Sequence, residues 1–175
     1  VWLTRINAGR TLRNKVPCIE APRPTPTEAI RMFKKILVPT DGSDLSSKAI
    51  AGAVEFAAKL GAQIVGMTVV EPYSYSSLSE YRPESFEDYD ARMLAAAQER
   101  LGKLQAAARG AGVAVQTEVA KSFSPYEAII DTAGKAGCDV IFMASHGRRG
   151  LNAVLLGSET QKVLTHSTVP VMVYR

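Results

Sequence analysis

From Lys34 to the end of the chain, short runs of β-branched and other apolar residues alternate with stretches of helical periodicity. That alternation constrains the fold more than any other feature, because strands separated by helices assemble as βαβ units around a parallel sheet. The first strand, 34–39, places Ile36, Leu37 and Val38 consecutively, as expected of a strand covered on both faces. Asp-Gly-Ser-Asp at 41–44 turns the chain and offers an N-cap, and the helix over 45–60 gathers Ile50, Ala53, Val54 and Ala57 on one face before Gly61 ends it. A second strand is expected over 63–70 and a polar, Tyr- and Ser-rich loop over 71–84. The helix over 85–109 then aligns Leu94, Ala97, Leu101, Leu104 and Ala108, and Gly110 and Gly112 close it.

The remaining pattern predicts a strand over 113–119, a helix over 125–136 that buries Ile129, Ile130 and Ala133, and an apolar strand over 139–144. A glycine-punctuated loop over 145–157 leads into a helix over 158–166 and a last strand over 169–174. Pro170 has no N–H for a ladder, which assigns that strand to an edge. The expected fold is therefore α/β: a doubly wound, Rossmann-like, five-stranded parallel sheet with helices on both faces and right-handed crossovers. Neither a repeat nor a second domain is visible in the pattern.

Residues 1–31 read differently. They lack sustained periodicity, and Ala-Pro-Arg-Pro-Thr-Pro at 21–26 is extended and helix-breaking. Two readings fit this leader: a start called too early, with Met32 the natural initiator of a 32–175 domain, or an Arg-rich, acid-poor targeting segment. The leader carries Arg5, Arg10, Arg13, Lys15, Arg23 and Arg31 against Glu20 and Glu28, which accounts for the whole formal charge of +4. The domain is left electrically balanced, without the basic footprint that a nucleic acid would require. No apolar run reaches the roughly eighteen residues of a membrane-spanning helix. Cys18 and Cys138 sit in no Cys-x-x-Cys or metal-ligand spacing, so Cys138 is expected as a buried small hydrophobe in a reducing, cytoplasmic protein.

Open α/β sheets bind ligands beyond the carboxyl ends of their strands, where the strand order reverses. Two segments end there with suitable chemistry. Pro39-Thr40-Asp41 follows the first strand, and the run from Met143 through Ala144, Gly147 and Arg148 to Gly157, Ser158 and Glu159 follows the fourth. Gly147 allows the backbone to approach an anion without a Cβ in the way. Gly157-Ser158 opens the next helix, whose amides and positive dipole end suit a phosphate, with the Ser158 hydroxyl as an added donor. The same glycines also suit plain turns, with Ser158 as an N-cap. Arg148 and Arg149 either meet a triphosphate or are solvated. His146 and His166 read as loop and cap residues, and Tyr73, Tyr75 and Tyr81 as a surface loop or a cover over the site. No metal-ligand set and no catalytic group is assigned.

Met32-Phe-Lys-Lys-Ile-Leu-Val-Pro-Thr-Asp-Gly-Ser, together with Ala144-Ser-His-Gly followed by nine residues and Gly157-Ser158, resembles the universal stress protein family over residues 32–175. The family signature is Gly, two residues, Gly, nine residues, then Gly-Ser or Gly-Thr, and the chain matches it at Gly147, Gly157 and Ser158. The resemblance implies an adenine nucleotide α-hydrolase-like fold that binds ATP, with ADP and AMP left open and Mg2+ as an accompanying ion. It implies that phosphates and ribose lie over 144–158, that Asp41 and the backbone near Val69 hold the ribose and adenine, and that Pro170–Arg175 forms the contact of a homodimer. Two positions depart from the family. Ala144 replaces the first glycine, where a methyl is tolerated at negative φ but would crowd a ribose on the backbone. Phe123 stands where a glycine is usual, and would stack on adenine or fill its pocket.

An ATP-consuming enzyme is the competing class. The related adenylating proteins carry a Ser-Gly-Gly-type loop after the first strand, where this chain has Thr40-Asp41-Gly42-Ser43, and no Walker-type Gly-Lys-Ser is present. Without a cation clamp and a positioned water, at most slow hydrolysis is expected. A third reading is a nucleotide-free dimer that acts through protein partners, with Ala144 and Phe123 closing the pocket.

Overall fold

The computed structural model describes residues 33–74, 85–147 and 156–175; the 1–31 leader, with Cys18, lies outside them. Among the described residues, five strands alternate with four helices: β1 (Lys35–Pro39), α1 (Asp44–Leu60), β2 (Gln63–Val70), α2 (Phe86–Gly110), β3 (Val115–Lys121), α3 (Pro125–Lys135), β4 (Val140–Ala144), α4 (Ser158–His166) and β5 (Val171–Tyr174). The strand order is β3-β2-β1-β4-β5, and every pairing is parallel. The expected doubly wound sheet is present, with β5 at an edge.

Alternation along the central strands produces two cores. Ile36, Val38, Ile64, Val140 and Phe142 face α1 and α2, meeting Ala53, Ala57 and Leu104. Leu37, Val65, Met67, Ile141 and Met143 face α3 and α4, meeting Ile129, Ala133 and Val163. Ile36, Leu37 and Ile141 are wholly buried, and each such side chain contributes about 1.5–3 kcal/mol relative to exposure. Two glycines let elements close on one another. A β-carbon on Gly66 would lie 2.7 Å from Leu104 Cδ2, and one on Gly52 would lie 2.7 Å from the Tyr174 ring.

Local signals set the ends of the elements. Ser43 caps α1 by accepting from Ser46 N, and Gly61 closes it at φ +64. Ser85 caps α2 in the same way through Asp88 N. The start of β1 is held by the Asp139 carboxylate, which accepts from Lys34 N (2.7 Å) and Lys35 N (3.2 Å), while Lys35 Nζ donates to Ala136 O at the end of α3.

Two strand starts and one buried stripe differ from expectation, β5 beginning at Val171 rather than at 169. β3 begins two residues later than the valine alternation predicts, because Val113 N donates to Ala108 O and so belongs to the turn that ends α2. On α3 the inward face is Ala128, Ile129, Thr132 and Ala133, and Ile130 is only half-buried. An eleven-residue helix on one side of a sheet buries a single stripe, and adjacent residues lie about 100° apart on it. Cys138 is buried as expected, and that burial pushes its thiol pKa up to about 11.

Candidate functional site

The strand order reverses between β1 and β4. The chain leaves β1 toward α1 on one face and leaves β4 toward α4 on the other, which opens a crevice at the carboxyl edge. Both candidate segments lie at that edge.

Pro39 ends β1 beside Met67, and Thr40 continues the pairing by donating its N–H to Met67 O (2.8 Å). The buried Thr40 hydroxyl is 2.7 Å from Ser46 Oγ, so that side chain ties the turn to α1. Asp41 follows in a tight turn whose Gly42 has φ +79. Its Oδ1 accepts from Ser43 N (3.0 Å) and Ser43 Oγ (2.7 Å), the pattern by which an Asp side chain closes its own turn. Its Oδ2 reaches across to the other segment, 2.5 Å from where a β-carbon on Gly147 would stand. The space that Gly147 leaves open is thus occupied at its rim by the Asp41 carboxylate.

After β4 the chain folds back on itself. Gly157 N donates to Ser145 O (2.8 Å), and a β-carbon on Gly157 would lie 3.1 Å from His146 Cα. The two ends of the 145–157 segment therefore touch. Gly157, not Ser158, is the N-cap of α4, and its amide is engaged within the protein rather than turned to a ligand. The amides of Ser158, Glu159 and Thr160 precede the first intrahelical bond, Gln161 N to Gly157 O, and are the donors that this helix start presents. Thr160 Oγ1 donates to Ala144 O (3.1 Å), fastening α4 to the end of β4.

Several candidates contribute main chain rather than side chain. Met143 and Ala144 are buried in opposite cores. No described non-glycine residue has positive φ, so the Ala144 methyl is accommodated in the α1-side core. Val69 packs its side chain toward α3 and α4 while its backbone nears the carboxyl edge of β2. The Glu159 carboxylate accepts from Tyr126 N (3.0 Å) at the start of α3 and from Lys162 Nζ (2.9 Å). That hydrogen bond, with the negative charge behind it, raises the Lys162 pKa. The Glu159 side chain serves α3, leaving only its amide for a ligand.

Phe123 is 61% exposed between β3 and α3, and its ring fills no pocket among the described residues. Arg148, Arg149, Tyr75 and Tyr81 lie outside the described residues. Tyr73 packs edge-on against Phe86 and Tyr89 at the start of α2. His146 Nδ1 lies 3.2 Å from Ser145 Oγ, and His166 stands against the Tyr126 ring. Sequence reasoning missed Ser43 and Thr160 as the groups that orient Asp41 and α4. The Asp-x-Ser spacing carried the first signal, but nothing local marks the second. At the opposite edge, a shallow concavity between the ends of α1 and α2, lined by Ala58, Gly61, Gln63 and Ala111, has no ionisable side chain to receive an anion.

The model of the universal stress protein family matches residues 32–175. The universal stress protein YxiE of Bacillus subtilis is 35% identical over 82% of this chain and 100% of its own length. Universal stress protein MJ0531 of Methanocaldococcus jannaschii is 32% identical over 82% of this chain and 83% of its own. Among solved structures, MJ0577, from the same archaeon, aligns at a TM-score of 0.69 and 27% identity over 81% of this chain and 95% of its own. A universal stress protein solved in complex with cAMP shares the fold at a TM-score of 0.60 and 21% identity, over 82% of this chain and 98% of its own.

Proposed function

The chain belongs to the universal stress protein family, and from that premise we propose that it binds an adenine nucleotide, ATP foremost, in the crevice between β1 and β4. The observation that carries this reading is the meeting of Asp41 with Gly147, which joins the two motif segments across the point where the sheet reverses. The residues fit such a ligand. Gly147 has no side chain to displace the Asp41 carboxylate, the start of α4 presents amides of the kind that receive phosphate, and Asp41 supplies a carboxylate for a ribose hydroxyl or a Mg2+ ion. ADP and AMP share the adenosine half and compete for the same place. That a protein of this fold was solved with cAMP bound supports an adenine nucleotide as the class.

In this reading the protein is a cytoplasmic regulatory module that binds rather than consumes ATP. β5 is paired on one side only, and Pro170–Arg175 would supply the contact of a homodimer. Calorimetry of the full chain with ATP, ADP, AMP and adenosine, with and without Mg2+, tests the assignment. Dissociation constants tighter than about 1 mM, or more than about 4 kcal/mol of binding, are expected for the nucleotides. Absence of heat at that concentration favours the nucleotide-free dimer, and turnover above about 1 s⁻¹ would make the protein an ATPase instead.

A further inference from the structure

Arg100 stands on α2, an element that carries none of the candidate residues. Its side chain nevertheless lies across the turn after β1. A β-carbon on Gly42 would sit 3.0 Å from Arg100 Cγ, 3.3 Å from Cδ and 3.4 Å from Nε, so the alkyl stem rests flat on the glycine at φ +79. The next contacts run in series. Gly42 N is 3.3 Å from Thr40 Oγ1, Asp41 Oδ1 is bonded to Ser43 on the other side of Gly42, and Asp41 Oδ2 abuts Gly147. The hydrogen bonds fix the turn from within, and Arg100 covers it from without.

We propose that Arg100 is a positioning residue for the nucleotide site, holding the 41–43 turn so that Asp41 stays against Gly147. The proposal rests on the nucleotide reading above. The atoms nearest Gly42 are the methylenes and Nε, so the stem is the part that covers the turn. A shorter side chain uncovers the turn, whereas a long uncharged one keeps it covered. With Mg2+ left out, the ribose is what Asp41 can grip, so its displacement weakens ATP and adenosine in parallel.

The test combines calorimetry with amide NMR on the full chain, using Arg100→Ala, Arg100→Gln and Arg100→Met; all three side chains are compatible with a helix. Arg100→Ala is expected to lose about tenfold in affinity for both ATP and adenosine, through lost preorganisation, and to shift the Gly42 and Gly147 amide signals in the absence of nucleotide. Arg100→Met restores both readouts, and Arg100→Gln falls between. Loss confined to ATP would mean that the charge acts on phosphate and would overturn the proposal, as would unchanged affinities and amide signals in Arg100→Ala. If the wild-type chain binds neither ligand, the nucleotide reading has failed. The amide shifts then still decide whether Arg100 sets the turn.

Discussion

The Asp41 carboxylate and Gly147 are in direct apposition, with Oδ2 2.5 Å from the position that a β-carbon on residue 147 would take. The obstacle to a side chain at 147 is a side-chain carboxylate rather than backbone, and it must strain or leave its Ser43 bonds to make room. Gly147→Ala is therefore expected to fold with a loss of about 0.5–1.5 kcal/mol from the disturbed Asp41–Ser43 bonds, and to displace Asp41 and weaken ATP binding by about tenfold or more. Gly147→Val abolishes binding by also blocking the approach of a phosphate. Calorimetry and thermal melts on the same samples separate the two effects, and unchanged affinity in Gly147→Val would mean that this loop does not hold the phosphates.

Asp41→Ala removes the carboxylate and its bonds to Ser43 N and Oγ, while the contact of Gly42 N with Thr40 Oγ1 remains. Weakened binding of adenosine as well as ATP is expected if the group grips the ribose. Should adenosine affinity stay at the wild-type value while ATP·Mg2+ weakens, the carboxylate serves the ion instead.

Gly66→Ala addresses packing rather than the site. The added methyl would stand 2.7 and 2.9 Å from the two δ-carbons of Leu104, a residue with no exposed surface to retreat into. A loss of about 1–3 kcal/mol in urea unfolding is expected from overpacking, and pairing it with Leu104→Val should recover part of that loss. Additive losses in the double variant would contradict the fit of Leu104 over Gly66.

Cys138 makes stability fall at high pH. Burial raises its folded pKa from 9.0 to about 11, so the fold prefers the neutral thiol. Its contribution is complete below pH 9 and is lost as the pH rises through 11, above which both states carry the thiolate but only the folded one bears its burial. In a Cys18→Ser background, alkylation of the native protein should be negligible at pH 8 and rise with protein unfolding. Rapid labelling of folded protein at pH 8 would show the thiol to be accessible.

The strand runs and the helical stripes were legible because burial on both faces leaves Ile36-Leu37-Val38 and Val140–Met143 without polar interruption. β5 is at the edge as expected, but Pro170 precedes the strand and turns its carbonyl to Ile141 N on the β4 side, so its missing N–H is not the cause. The parts that stayed hidden are pairings between residues remote in the chain. No spacing indicates that Asp139 fastens the start of β1, that Glu159 caps α3, or that the amide of Gly157 turns inward to Ser145. For the site, glycine spacing marked where backbone is exposed, but which amides point outward depends on how the loop closes. The Ala144 methyl became harmless only when its strand placed it in the α1-side core.

The reversal between β1 and β4 also dictates an order of assembly. β1, β2 and β3 are contiguous both in sequence and in the sheet, so that half can form from local units as the chain emerges. The crevice needs β4 to return across a separation of roughly a hundred residues, and closing such a span is entropically slow. A nascent chain that ends before β4 leaves one flank of β1 unpaired and lacks one wall of the crevice, so on the nucleotide reading a ligand would dock only once β4 is in place.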